Sequence, residues 1–498
     1  MLDQKNRPRR GFVFCALAGA LLISSGCKVV GPNYTHPPVA PVPEAFKEKP
    51  PDGWKEAQPN DAALKGKWWE IYNDPELNAL EEQVNISNQN VLAAEAQYRA
   101  ARATVQIARS ALFPLVTAGS SASPVVGGSQ GGVNLPPSAG VFGSFQIPFD
   151  VSYQVDLWGS IRRNVRANAE TAQATEAQLE NAKLTYQATL AQDYFQLRGT
   201  DGDIALLEST VESYTGFLKL TQARHDSGIA SGADVAQAET QLDSAKEQMI
   251  DFGVARAQYE HAIAILVGKP PSELSLEKRT LKGEPPQVPV AMPSTLLERR
   301  PDIAMSERQM ASLNEQIGIA DAAFYPSLTL SAGAGLASSS FVNLFSWAGR
   351  FWTAGAIASQ TLYDAGKRRA QVDVAKANFD NAMANYRETV LTAFQQVEDQ
   401  MAALRILERE TGATIETVAA AQLALDITTA QYKAGTATYL QVETQQTALF
   451  SEQEALVNLL TRRMVSSVLL VEALGGGWDT SQLPVVSELS TGPKPGKN

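Results

Sequence analysis

From Arg162 to Asp226 the chain runs 65 residues without a proline. At ~1.5 Å per residue, one helix of that length spans roughly 100 Å. Helices in globular proteins average roughly 10–14 residues, so no ordinary core contains such an element. Gly199 and Gly202 interrupt the run, each at about 1 kcal/mol, and the expectation is one kinked helix. The long helices must pack laterally. Val235, Leu242 and Met249 are seven residues apart, as are Val442, Leu449 and Leu456, and Phe450, Val457, Met464 and Val471 form a further series. Heptad spacing predicts coiled-coil-like seams.

The plan occurs twice. "ALFPLVTAGSSAS" (111–123) is echoed by "AFYPSLTLSAGAG" (323–335), and "HDSGIASGADVAQAETQL" (225–242) by "YKAGTATYLQVETQQTAL" (432–449). Gly228 to Gly268 and Gly435 to Gly475 are both 40 residues apart, and Arg162-Arg163 recurs as Arg368-Arg369. Matched spacing over such distances indicates tandem duplication of one large unit. Each unit reads helix, strand, loop, strand, long helix, sharp turn, helix. The first helices are expected over Glu76–Leu112 and about Ser294–Phe324.

"SFQIPFDVSYQVDLWG" (144–159) breaks the helical pattern. Phe145, Ile147, Phe149, Val151, Tyr153 and Val155 alternate with polar residues or proline. A tilted membrane-spanning strand needs about 9–11 residues with one apolar and one wet face. "SLTLSAGAGL" is a weaker strand candidate, "LVTAGSSAS" weaker still, and 351–362 is ambiguous. About four strands cannot close a membrane barrel, and open edges are not tolerated in hydrocarbon. Spanning strands would therefore have to be pooled from several chains.

Lys5, Arg7, Arg9 and Arg10 precede a 13-residue apolar run, Gly11–Ile23. It is too short to span a bilayer, which takes about 20 residues, and suits a cleaved export signal over 1–26. "ISSGC" ends on Cys27 and resembles a lipobox, with Ser24 where leucine is usual. Cys15 lies inside the leader, so no internal disulfide is available to the processed chain. Lys plus Arg total 42 against 53 Asp plus Glu; without a basic excess, no nucleic-acid partner is expected. No metal-ligand spacing, nucleophile elbow or phosphate loop is visible. The reading is of a non-enzyme without a cofactor, and "GGSQGG" reads as a surface loop.

"GCKVVGPNYTHPP", "WWEIYNDPELNALEEQV", "VDLWGSIRR", "LLERRPDI" and "ALGGGW" together resemble the TolC-like outer-membrane efflux proteins, specifically the lipoprotein group of resistance-nodulation-division (RND) systems. The resemblance implies a mainly α protein with a membrane β-barrel: a homotrimer whose 12-stranded barrel sits on a long α-helical periplasmic tunnel. It implies acylation of Cys27, contact with outer-membrane lipid, a periplasmic adaptor and an inner-membrane RND transporter. The chain divides into a lipid-anchored segment (27–65), repeat 1 (66–270, β-hairpin 115–157), an equatorial linker (271–292), repeat 2 (293–475, β-hairpin 327–363) and a tail (476–498). A collar is expected from about 47–65, 270–292 and 476–498.

The family's helix tips meet the adaptor and close the periplasmic mouth, which makes Gly228 and Gly435 the adaptor-contact candidates. Its constriction combines an acidic and an apolar residue just after the second tip. Leu440 matches the apolar position. Thr444 stands at the usual acidic one, with Gln441 at the other common acidic site and Glu443 beside them. Asp234 and Glu239 of the first tip are further gate candidates. Arg162, Arg163, Arg368, Arg369 and Trp158 are expected at the inner barrel rim, against lipid headgroups or the lumen. The expected function is a passive exit duct of a tripartite pump. The alternatives are a type I secretion duct or a lipid-anchored periplasmic scaffold without a pore.

Overall fold

The computed structural model describes residues 29–35, 43, 45–48, 66–126, 129–130, 133–134, 141–281, 283–288 and 293–491. The export signal, Cys27, much of "GGSQGG" and parts of the expected collar lie outside them. In chain order the elements are α1 (Pro75–Ser87), α2 (Gln89–Ser110), β1 (Leu115–Ala118), β2 (Ser121–Val126), the short pair β3 (Ser129–Gln130) and β4 (Val133–Asn134), and β5 (Val141–Val155). Next come α3 (Ser160–Asp226), α4 (Gly232–Leu266), α5 (Pro293–Arg299), α6 (Pro301–Ala322), β6 (Ser327–Ser338) and β7 (Arg350–Ser359). α7 (Lys367–Ala434), α8 (Tyr439–Ala473) and α9 (Val486–Thr491) complete the fold.

α3 and α7 are 67 and 68 residues long. Each starts after a left-handed glycine, Gly159 (φ 84) or Gly366 (φ 89). Aspartates satisfy the orphan N–H groups of both first turns. Asp156 accepts from the Ile161 and Arg162 amides, and Asp364 from the Arg368 amide. α3 runs unbroken through Gly199 and Gly202. The glycines allow close approach to α8: a Cβ on Gly199 would lie 2.3 Å from Thr461 Oγ1, and one on Gly202 3.1 Å from Val457.

The expected helices over 76–112 and 294–324 are each split, at Asn88 and Arg300. Both breaks are splices between helix ends. Asn88 caps α2 by accepting from the Asn90 and Val91 amides, while its Nδ2 donates to Leu266 O at the end of α4, 2.9 Å away. Arg300 precedes α6 and donates from Nη1 to Ala473 O at the end of α8, also 2.9 Å. Left-handed glycines, Gly268 (φ +72) and Gly475 (φ +92), turn the chain at these joints.

The main core lies midway along the bundle, where Trp68 and Trp69 of a 3-10 turn, with Leu77, Leu80 and Val84 of α1, pack on Leu190, Tyr194 and Phe195 of α3. Arg198 and Asp201, both almost fully buried, anchor an ion network with Glu76, Arg256 and Arg279. That network holds the inter-repeat segment through Arg198 Nη1 to Glu277 O (2.7 Å) and Arg256 Nη2 to Leu276 O (2.6 Å). The described N-terminal part crosses α7, where the Lys47 and Glu48 amides donate to Glu398. The C-terminal part crosses α3, where Gln173 donates to Pro484 O.

One antiparallel sheet runs β1/β2–β5–β6–β7. β1 pairs with Phe149–Ser152 and β2 with Val141–Gln146, so they form one interrupted edge ribbon along β5. The ambiguous stretch after 350 is therefore a strand, and the alternating segment begins four residues earlier than Phe145, at Val141.

Candidate functional site: sheet faces, strand–helix junction and helix tips

Directly paired residues share a face of a sheet. Ile147, Phe149, Val151, Tyr153 and Val155 stand opposite Leu336, Ala334, Ala332, Leu330 and Leu328. On β7 that face continues with Trp352, Ala354, Ala356 and Ala358, and ends on Arg350 opposite Leu336. The other face carries Gln146, Pro148, Asp150, Ser152 and Gln154 beside Ala337, Gly335, Gly333, Ser331 and Thr329, and continues on β7 with Phe351, Thr353, Gly355 and Ile357. Phe149 and Trp352 are 55% and 79% exposed, so the apolar face is uncovered in the single chain. Among the described residues both edges, β1/β2 and β7, are unpaired.

At the junction the expectation for Arg163 fails. Its side chain is 1% exposed and meets neither a lipid surface nor the lumen. Nη1 pairs with Glu315 at 2.7 Å, Nε donates to Val30 O at 2.7 Å and Nη2 to Gly31 O at 3.0 Å. Glu315 is equally enclosed and also meets Arg166. Burying this ion pair is compatible with folding because the guanidinium's remaining donors find carbonyls. Arg163 thus fastens the N-terminal segment, whose Val30 amide donates to Trp158 O. Gly31 (φ +96) packs so closely that a Cβ would lie 2.4 Å from Gly318 Cα.

Arg162 and Arg368 pair with Asp156 and Asp364, the carboxylates that also cap their helices. This offsets the unfavourable position of a cation at a helix N-terminus, and the Arg368 guanidinium holds the Asp364 carboxyl below its ordinary value. Arg369 is exposed. Trp158 donates from Nε1 to Pro326 O at 2.7 Å and stacks on Tyr325, joining the two halves.

The helix tips turn at Gly228 (φ +74) and Gly435 (φ +82), both exposed. Asp234 and Gln441 occupy the same position in the two hairpins, and each completes a capping box, with Ser231 and Thr438 respectively. The Asp234 carboxylate accepts from the Ser231 amide at 2.9 Å, so helix initiation engages it. Leu440 is 57% exposed and shares an outward face of α8 with Thr444, whose hydroxyl donates to Leu440 O. Glu239 is exposed on α4. Glu443 is half-buried near Tyr214 and Tyr439, and desolvation raises its carboxyl above the ordinary value. Of the six candidates, Asp234 and Gln441 are engaged in helix initiation and Glu443 is half-buried, while Leu440, Thr444 and Glu239 are exposed.

Arg224 was not anticipated. Its Nη1 donates to Tyr432 O at 2.8 Å, capping the C-terminal end of α7, and its guanidinium lies 4.6 Å from the Tyr432 ring centroid. A basic residue one turn before Gly228 was the available signal.

The outer membrane efflux protein family model matches residues 80–269 and 292–476. The toluene efflux pump outer membrane protein TtgC of Pseudomonas putida is 30% identical over 93% of this chain and 95% of its own length. The pyoverdine export outer membrane protein OpmQ of Pseudomonas aeruginosa is 29% identical over 93% of this chain and 98% of its own length. Among solved structures, the outer-membrane channel OprN superposes with a TM-score of 0.82 at 29% identity, over 90% of this chain and 99% of that one.

Proposed function

We propose, for a chain that belongs to the outer membrane efflux protein family, that it works as the outer-membrane exit duct of a tripartite pump. The observation that carries this is the sheet: one face apolar across β5, β6 and β7 up to Arg350 at the start of β7, an opposite face that is polar along β5, and two open edges. Unpaired edge groups cost several kcal/mol each in hydrocarbon, so the wall must close with copies of itself. Three copies of a wall four ribbons wide give a twelve-stranded barrel. The apolar face meets lipid and the wet face lines the lumen. α3 and α7 extend away from the barrel as the tunnel wall, with residues 66–270 and 293–475 as its two repeats.

The tips at Gly228 and Gly435 are the docking points for a periplasmic adaptor, which joins the duct to an inner-membrane RND transporter. The Leu440–Thr444 face of α8 lines the mouth. Acylation of Cys27 is supported by the fastening of Val30 and Gly31 at the strand–helix junction, close in sequence to the anchor. Relatives are named for toluene and for pyoverdine, which fits a duct that does not select its cargo. Small molecules chosen by the inner-membrane transporter are the cargo here. The test is conductance of the purified protein in planar bilayers. Discrete unitary steps are expected; a stable preparation that adds no conductance would refute the duct.

A further inference from the structure

Resting on the duct reading, we infer that the turn between β6 and β7 is a lipid-binding site at the outward end of the barrel, where Arg350 and Trp347 take the phosphate headgroup of an outer-leaflet lipid and the turn's apolar side chains take its acyl chains. The turn lies at the end of the sheet remote from the helices, because β5 leads into α3 and β6 follows α6. Phe341, Val342, Phe345 and Trp347 are each at least 63% exposed, while Leu344 turns inward. Two 3-10 turns, Phe341–Asn343 and Trp347–Gly349, shape the segment. The Leu344 amide donates to Phe341 O at 3.3 Å, the Gly349 amide to Ser346 O at 3.1 Å, and Ser346 Oγ to Asn343 O at 2.7 Å. Internal pairing of this kind lets irregular backbone approach hydrocarbon.

Register decides which side the turn covers. Phe145 and Arg350 share the apolar face, opposite Ser338 and Leu336 of β6. The Phe341 ring meets the Phe145 ring edge-on, with centroids 5.7 Å apart, and the Arg350 guanidinium lies 4.1 Å from the Trp347 ring centroid. Both ends of the turn therefore fold over the lipid face and not over the lumen. Leu328 to Leu336 runs about 27 Å along the strand, which is roughly 20 Å of membrane depth at the usual barrel tilt, against an apolar band of about 25 Å. The row of Arg350 thus stands at the outward edge of the band, at headgroup level.

Charge selects the occupant. Among the described strands Arg350 is the one charged side chain on the apolar face; Asp150, the other charged strand residue, is on the wet face. Arg350 is exposed, and among the described residues no hydrogen bond or ion pair engages its guanidinium. The strands of a second copy have no anion to offer on this face, since the sequence holds no Asp or Glu between Glu95 and Asp150 or between Asp321 and Asp364. An unpaired cation beside hydrocarbon is costly. The Trp347 ring holds the guanidinium by its flat face and leaves the N–H donors at its edge open to phosphate oxygens. A free phosphate ion would make no use of the apolar side chains around it, whereas an amphiphile uses both parts.

Native mass spectrometry of the full-length assembly in detergent tests this, with three probes: diphosphorylated lipid A, the same acylated disaccharide without phosphate, and inorganic phosphate. The phosphorylated lipid should bind about tenfold more tightly than its phosphate-free counterpart, and inorganic phosphate should not displace it. Arg350→Gln should remove that preference, and Arg350→Lys should recover part of it, because an ammonium keeps the charge without the planar fork. Trp347→Ala should weaken both lipids. Equal affinity for the two lipids in the unmodified protein, displacement by inorganic phosphate, or an Arg350→Gln variant that keeps the preference overturns the inference. Lipid retention is read by mass and not by conductance, so a particle that conducts yet ignores the phosphate removes the site and leaves the duct standing.

Discussion

Arg163 shows how far a residue's task can lie from what its neighbourhood in sequence suggests. "IRR" after a membrane strand reads as a cationic rim, yet the two arginines face opposite fates. Arg162 stays half-exposed against Asp156, and Arg163 is enclosed with Glu315 and two backbone carbonyls. Replacing Arg163 by Leu leaves Glu315 buried with only the longer Arg166 contact, and such truncations cost about 3–5 kcal/mol. The expected outcome is loss of the assembled form at moderate denaturant. Arg163→Lys should restore only part of the stability, because an ammonium cannot reproduce the planar fork.

Asp203 gives a pH prediction. Burial, reinforced by Glu454, pushes its carboxyl up to about 7. A carboxylate raised in the folded state contributes stability that is complete below its ordinary pKa and lost as pH rises through the folded value. Thermal stability should fall between about pH 4 and pH 7. Asp203→Asn should flatten that slope. An unchanged slope in melting curves across the window would assign it to other groups.

At the scale of elements, punctuation was legible where glycine or proline enforced it. Gly228 and Gly435 marked the tips, and the equal distances to Gly268 and Gly475 marked the far ends of α4 and α8. Alternation located β5, because a strand with one dry face must show period two. β7 was ambiguous because Gly355, Ala354, Ala356 and Ala358 carry little contrast between faces. The splices at Asn88 and Arg300 escaped notice because the helical pattern resumes at once on both sides. Asn88 as a cap and Pro301 at a first helical position were the signals present.

The joints can be tested against a neutral control. A Cβ at Gly268 would lie 2.3 Å from Ser87 O, and one at Gly475 2.1 Å from Arg299 O. Alanine at either should destabilise by well over the ~1 kcal/mol of a positive-φ penalty alone. Among the described residues, nothing lies within 4 Å of where a Cβ on Gly216 would stand. Gly216→Ala should instead raise stability by about 0.5–1 kcal/mol. Urea midpoints of the three variants separate the two outcomes.

For the molecule as a whole, duplication and helix length were readable from one sequence because both are long-range regularities. The chemistry of the helix tips was not. Acids near a tip look alike as letters, and only the fold shows Asp234 engaged in a capping box while Glu443 turns inward. The single chain is visibly incomplete: Ile250, Val254 and Ile265 on α4 and Leu391, Ile406, Ile415 and Leu423 on α7 are at least half exposed. Long helices with exposed apolar side chains need neighbours for the same reason the sheet does. Aspartate at Ile415 should weaken assembly while leaving each chain's helical content intact, as seen by circular dichroism against size-exclusion profile.

Closure by pooled strands is the claim on which the duct depends, and the mass of the membrane-extracted assembly addresses it most directly. Native mass spectrometry in detergent should give three chains per particle, with no stable single-chain species. A conducting particle containing one chain, or a detergent-free soluble monomer as the natural form, would contradict it.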